Sequence, residues 1–155
     1  MNDIKVSFHF SLKEFECPCC KRVKLDERLL MKLEALRILY GKPLVITSGY
    51  RCEKHNREVG GSERSLHLEG KAADIRIAER EQGKILMLCK LLGLRVIPYG
   101  KRNFVHVDIG GGANGYLPGH IKPGISYSSK LLSSGKAGAR NEGTKRGYLL
   151  SQSGY

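Results

Sequence analysis

Tryptophan is absent, and aromatic residues make up only 7% of the chain. That scarcity argues against binding single-stranded nucleic acid by stacking bases on aromatic rings. No run of residues is long and apolar enough to span a bilayer, so membrane insertion is not expected. The opening MNDIKVSFHFSLKEF has no apolar core and no small-residue cleavage site. A secretory signal is therefore not expected, and synthesis in a cytoplasm is. Acidic residues are outnumbered, 15 Asp+Glu against 27 Lys+Arg, for a formal net charge of +12. Such a balance predicts an anionic partner: nucleic acid, a membrane surface or an acidic polymer such as a cell wall.

Cysteines number five: Cys17, Cys19, Cys20, Cys52 and Cys89. An odd count without a secretory signal argues against a disulfide framework. Cys17 and Cys20 have the CxxC spacing of a structural zinc site, with Cys52 as a third ligand. The alternative, and the expectation adopted, is reduced thiols near the surface with Cys89 packed on a helix.

At 155 residues the chain has the length of one domain. SLKEF (11–15) reads as a helical turn begun by Ser11. DERLLMKLEALRILY (26–40) reads as a helix capped by Asp26, with Leu29, Leu33, Leu36 and Tyr40 on one face and Gly41 as its stop. EREQGKILMLCKLLG (79–93) is a second helix, with Ile85, Leu88, Cys89 and Leu92 as its apolar stripe. A short helix is expected near 52–58. PLVITS (43–48), AADIRI (72–77), LRVIPY (94–99) and FVHVDI (104–109) read as strands, the first of them buried. A turn at 100–103 makes the last two an antiparallel hairpin. Helices and strands mix without βαβ alternation, which predicts an α+β fold: a small antiparallel sheet with flanking helices. The domain is expected over 1–127. Residues 128–155, rich in Ser, Gly, Lys and Arg without apolar period, are expected to be a basic, disordered tail.

Only five histidines are present: His9, His55, His67, His106 and His120. His67 lies in the stretch SERSLHLEGKAADIRI (62–77), before the strand that carries Asp74. His106 lies on the strand FVHVDI. Two imidazoles and one carboxylate form a common catalytic zinc set with a fourth position open. Gly70 permits a turn between His67 and Asp74, and Ala72 and Ala73 keep bulk away. By itself the His-x6-Asp pair does not distinguish a metal site from a structural pair.

The surroundings do. SGYR (48–51), His55–Asn56, the pattern Ser65–His67–Gly70–Ala72–Asp74 and then His106–Asp108 occur in that order. This arrangement, over about residues 10–110, resembles the D-alanyl-D-alanine carboxypeptidase family of zinc peptidases, whose superfamily includes the hedgehog domain and cell-wall endopeptidases. The resemblance implies His67, Asp74 and His106 as ligands of one catalytic Zn2+, and peptidase activity on peptidoglycan stem peptides. It implies that Arg51 binds the substrate or stabilises a developing oxyanion. Ser65 either contacts substrate or caps the His67 loop. Asn56 positions that loop, and His9 and His120 carry no assigned role.

Many relatives of that family carry an acidic residue about three positions before the last zinc ligand, and here that position is Asn103. Asp108, on the same strand face as His106, is the replacement expected for general-base work. Its rival role is to orient His106 through the second ring nitrogen. Glu69 stands behind both. The protein is expected to be a monomer. It is expected to be held on the anionic wall by its basic surface, without specific nucleic-acid binding, and to reach the wall by holin-type release from a phage-infected or lysogenic cell. Two rival readings are a non-catalytic zinc module of the same fold and a nucleic-acid binder.

Overall fold

Asp26 starts the first helix as its residue type predicts: its carboxylate accepts the Arg28 N–H at 2.9 Å. This is α1, Glu27–Tyr40, and it ends at Gly41 in the left-handed conformation. Leu29, Leu33, Leu36 and Tyr40 are all buried. The other two α-helices among the described residues are α2, Glu53–Glu58, and α3, Glu79–Leu91, whose Ile85, Leu88 and Cys89 are buried beside α1's leucines. The structure is a computed structural model and describes residues 2–110. The tail expected at 128–155 lies outside the described residues.

Four strands form one antiparallel sheet in the order β1-β2-β4-β3, where β1 is Val45–Ser48, β2 Ala72–Arg76, β3 Arg95–Pro98 and β4 Phe104–Asp108. The α+β expectation therefore stands, and β3 and β4 form the expected hairpin. Its connection is a 3-10 turn, Gly100–Arg102, closed by Asn103 at φ 54. Side chains alternate across the sheet. Ala73, Ile75, Val105 and Val107 point into the core built with α1 and α3. Asp74, His106 and Asp108 point to the other face.

Two expectations need correction. The strand at 43–48 is not buried: β1 pairs only with β2, so it is an edge strand, and Val45 is 46% exposed. The segment carrying His67 is not an open loop but a 3-10 turn, Leu66–Glu69. Among the described residues no helix is long and apolar enough to cross a membrane.

Gly70 closes that 3-10 turn at φ 71, and its carbonyl accepts the Asp26 N–H at 3.0 Å. A Cβ at Gly70 would stand 2.8 Å from the Leu25 backbone nitrogen. The motif turn is thus pressed against the start of α1 where no side chain fits. Gly70→Ala adds both a left-handed strain and a backbone clash, and we expect a loss of about 3 kcal/mol. Urea unfolding of the two proteins checks this, and equal midpoints would refute it.

Candidate metal centre

Asp74 and His106 face each other directly across the β2–β4 ladder. Their side chains meet, with His106 Nδ1 2.9 Å from Asp74 Oδ1. The 3-10 turn brings the third member: His67 Nε2 lies 3.1 Å from His106 Nδ1 and 3.3 Å from Asp74 Oδ1. The three predicted ligands are therefore brought together, and His67 and Asp74 are buried.

The outer atoms decide what these inner atoms can be. His67 Nδ1 is 2.7 Å from the Gly49 carbonyl, which can only accept, so Nδ1 carries the hydrogen and Nε2 presents a lone pair. His106 Nε2 is 3.0 Å from Asp108 Oδ2, an ionised acceptor, so the His106 lone pair lies on Nδ1. Asp74 Oδ1 adds another. Three lone pairs converge on one point and repel unless a cation sits among them. Burial disfavours a charged His106, but its bonds to Asp108 and Asp74 outweigh that and raise its pKa. Burial would likewise raise Asp74, yet hydrogen bonds from His106 and His67 hold its carboxyl far below the ordinary range. A divalent metal fits the same donors: Zn–N and Zn–O bonds of ~2.1 Å imply donor separations of roughly 3.4 Å around a tetrahedron, a few tenths of an ångström wider than the 2.9, 3.1 and 3.3 Å seen.

Two arginines frame the group. Arg51 Nε donates to Ser48 Oγ at 2.7 Å, and Nη2 donates to Asp74 Oδ2. That bond holds the carboxylate with Oδ1 turned toward the histidines. Arg95 Nε and Nη2 each lie 2.8 Å from Asp108 Oδ2, with Oδ1 3.0 Å from Nε and 2.9 Å from the Gly110 N–H. Asp108 is fully buried. Burial pushes its pKa up, but the His106 and Arg95 hydrogen bonds prevail and lower it.

Other predicted positions sort less evenly. Ser65 precedes the 3-10 turn and is half-buried, and its hydroxyl makes no capping bond. Asn56 is buried and its Nδ2 donates to the Ser62 carbonyl at 2.8 Å, which fastens the loop before the motif. Asn103 is exposed, and its Oδ1 accepts the Glu79 N–H at the start of α3. Glu69 is paired with Lys71. His9 is paired with Glu34 on α1. The cysteines are all free, and Cys89 is buried as expected. Cys19 lies at the surface, but Cys17 and Cys52 do not, and these three meet Cys20 in one cluster.

Sequence reasoning missed Arg95, Ser48 as partner of Arg51, and the Gly49 carbonyl. For Arg95 a signal existed. A hairpin turning at 100–103 puts Tyr99 opposite Phe104 and hence Arg95 opposite Asp108, as observed. For Gly49 none existed, because a carbonyl's partner depends on a tertiary approach. Gly49 packs so close that a Cβ would stand 2.8 Å from the Phe15 carbonyl oxygen.

A protein-family model described as Peptidase M15 matches residues 8–108. That span holds every residue of the centre and all four strands. No curated protein matches the chain.

The lowered Asp108 pKa fixes the sign of a pH effect. A carboxyl whose folded value lies below its unfolded ~3.9 stabilises the fold above about pH 4 and loses that contribution as pH falls further. In metal-free protein, Asp108→Asn should cost about 3 kcal/mol at pH 6, since it breaks a buried ion pair. Its stability should then fall less steeply from pH 5 to 2 than that of the wild type. Parallel acid slopes in urea titrations would contradict the assignment.

Proposed function

The chain belongs to the Peptidase M15 family, and from that premise we propose that it is a zinc-dependent peptidase of the bacterial cell wall. Its substrate on this reading is a peptidoglycan stem peptide, cut at an amide bond involving a D-amino acid, as a D-Ala-D-Ala carboxypeptidase or an endolysin-type endopeptidase. The observation that carries the reading is the convergence of the His67, Asp74 and His106 lone pairs on one point. Zinc held there supplies Lewis acidity toward a carbonyl oxygen and brings the pKa of water toward neutrality.

The chain's own groups have separable tasks. His67 is oriented by the Gly49 carbonyl, and His106 by Asp108. Arg51 holds Asp74 in place, and its guanidinium has five N–H donors. Those not spent on Ser48 and Asp74 suit a substrate carboxylate or the negative charge developing on the scissile carbonyl. Ser65, whose hydroxyl does not cap its turn, is the second substrate contact. For Asp108 the geometry favours orientation of His106 over general-base work, because both carboxylate oxygens are already engaged and the group is buried.

Electrostatics support the partner. A formal charge of +12 favours retention on an anionic wall, by an attraction that weakens as salt rises. Release through a holin-type pore and action as a monomer belong to the same reading.

One observation favours a second reading, a zinc-binding module without hydrolysis. Asn103 stands where relatives carry an acid, and its side chain is used to start α3.

Defined muropeptides digested by zinc-loaded protein and analysed by mass separate the readings. Hydrolysis should occur and fall by at least about a thousandfold in His67→Ala and His106→Ala. Free D-Ala as product means a carboxypeptidase, and a cut cross-link or a cut after L-Ala means an endopeptidase. Zinc bound without any product would establish the non-catalytic module. Asp108→Asn, as a positioning change, should weaken zinc about 10–100-fold and leave kcat at saturating zinc within a few-fold. An unchanged zinc affinity with a collapsed kcat would make Asp108 the proton shuttle instead.

A further inference from the structure

The second cluster lies beside this centre and shares no residue with it. The chain Cys17-Pro18-Cys19-Cys20 turns back on itself: the Cys17 N–H donates to the Arg22 carbonyl at 2.8 Å, and the Lys21 N–H to the Cys17 carbonyl at 2.9 Å. Lys21 takes φ 58 to close the turn, a conformation that a β-carbon opposes. The turn aims its sulfurs at Cys52, which precedes α2. Cys19 Sγ lies 3.3 Å and Cys17 Sγ 3.7 Å from Cys52 Sγ, and all four sulfurs fall within 4.8 Å of one another.

We propose that Cys17, Cys19, Cys20 and Cys52 form a second, structural zinc site, closed by four thiolates. Zn–S bonds of ~2.3 Å require sulfurs roughly 3.8 Å apart around a tetrahedron; the Cys17–Cys52 pair at 3.7 Å meets that distance and the Cys19–Cys52 pair at 3.3 Å is somewhat tighter. Backbone N–H groups already point at the sulfurs, that of Cys52 at Cys17 Sγ and that of His55 at Cys52 Sγ, each at 3.5 Å. Such donors suit sulfur that carries negative charge. Four thiolates around a divalent ion leave two negative charges, and the hollow at Cys52 is lined by four cations, Arg22, Lys24, Lys54 and Arg57, against one anion, Glu53. Without a metal the same packing joins four weakly hydrogen-bonding thiols at the edge of the core, two of them buried, with little to hold them.

The site also has something to hold. Cys52 ends the segment that begins at Gly49. In that segment Gly49 orients His67, Arg51 binds Asp74, and the Arg51 N–H donates to the His67 carbonyl at 3.1 Å. On the other side the Tyr50 N–H donates to Phe15, two residues before Cys17. A metal at the cysteines ties the N-terminal turn to this segment and fixes its far end at Cys52.

The test uses the full chain, purified reduced and without chelator, with metal counted by elemental mass spectrometry. The wild type should carry about two zinc ions per chain, and both His67→Ala/His106→Ala and Cys17→Ser/Cys52→Ser about one. Cobalt added to the histidine double variant should give the thiolate-to-metal charge-transfer absorption of a sulfur-ligated tetrahedral ion. Cys19→Ser and Cys20→Ser should each weaken that complex at least about tenfold. Should the histidine variant not fold, cobalt-substituted wild type must show the same absorption. Its absence, or a disulfide within the cluster in the intact mass of protein isolated without reductant, would overturn the proposal. Peptidase activity plays no part in these readouts, so the cysteine site stands or falls separately.

Discussion

The centre depends on the register between β2 and β4. Asp74 sits opposite His106, and Ala72 opposite Asp108, so three polar groups share one face while Ala73, Ile75, Val105 and Val107 share the other. A slip of one residue in either strand would send Asp74 or His106 into the helix-packed core and an apolar residue into the site. Burial of the apolar face therefore specifies the geometry of the polar one. The core is the device that holds an imidazole and a carboxylate 2.9 Å apart.

Register alone supplies two of three donors. The third arrives by a different constraint, the 3-10 turn at Leu66–Glu69, pinned by Gly70 to the start of α1 and by the Arg51 N–H to the His67 carbonyl. Gly49 completes it by giving His67 a single allowed tautomer. Each donor is thus fixed twice, once by where its backbone runs and once by what its outer atom touches. Such double fixing holds lone pairs in a converging arrangement that they would otherwise relax away from.

This division explains what could be read from sequence. Helical periodicity over 26–40 and 79–93 and the alternation in AADIRI and FVHVDI are local, and the elements formed where those patterns lie. His67, Asp74 and His106 were legible because the linked motifs SGYR, S-x-H-x-x-G-x-A-x-D and H-x-D stand in order. The edge position of β1 was not, since VITS has the same composition whether it is flanked on one side or two. The CxxC spacing of Cys17 and Cys20 pointed to a metal site with Cys52 as third ligand, but not to Cys19 as a member or to the burial of Cys17 and Cys52, which depend on a tertiary approach. Arg95 lies between these cases: its pairing with Asp108 follows from the hairpin count but from no motif.

Charge around the centre bears on the kind of substrate it would favour. Asp74 is matched by Arg51 and Asp108 by Arg95, so the two carboxylates and two guanidiniums cancel. A divalent ion among the three donors therefore brings its whole charge to the site, with no protein anion left over to offset it. Such a centre favours a ligand that carries a negative charge of its own. The same balance gives Arg95 a role beyond packing. Without it, the buried Asp108 would set a full negative charge beside His106 and offset part of the positive field at the centre.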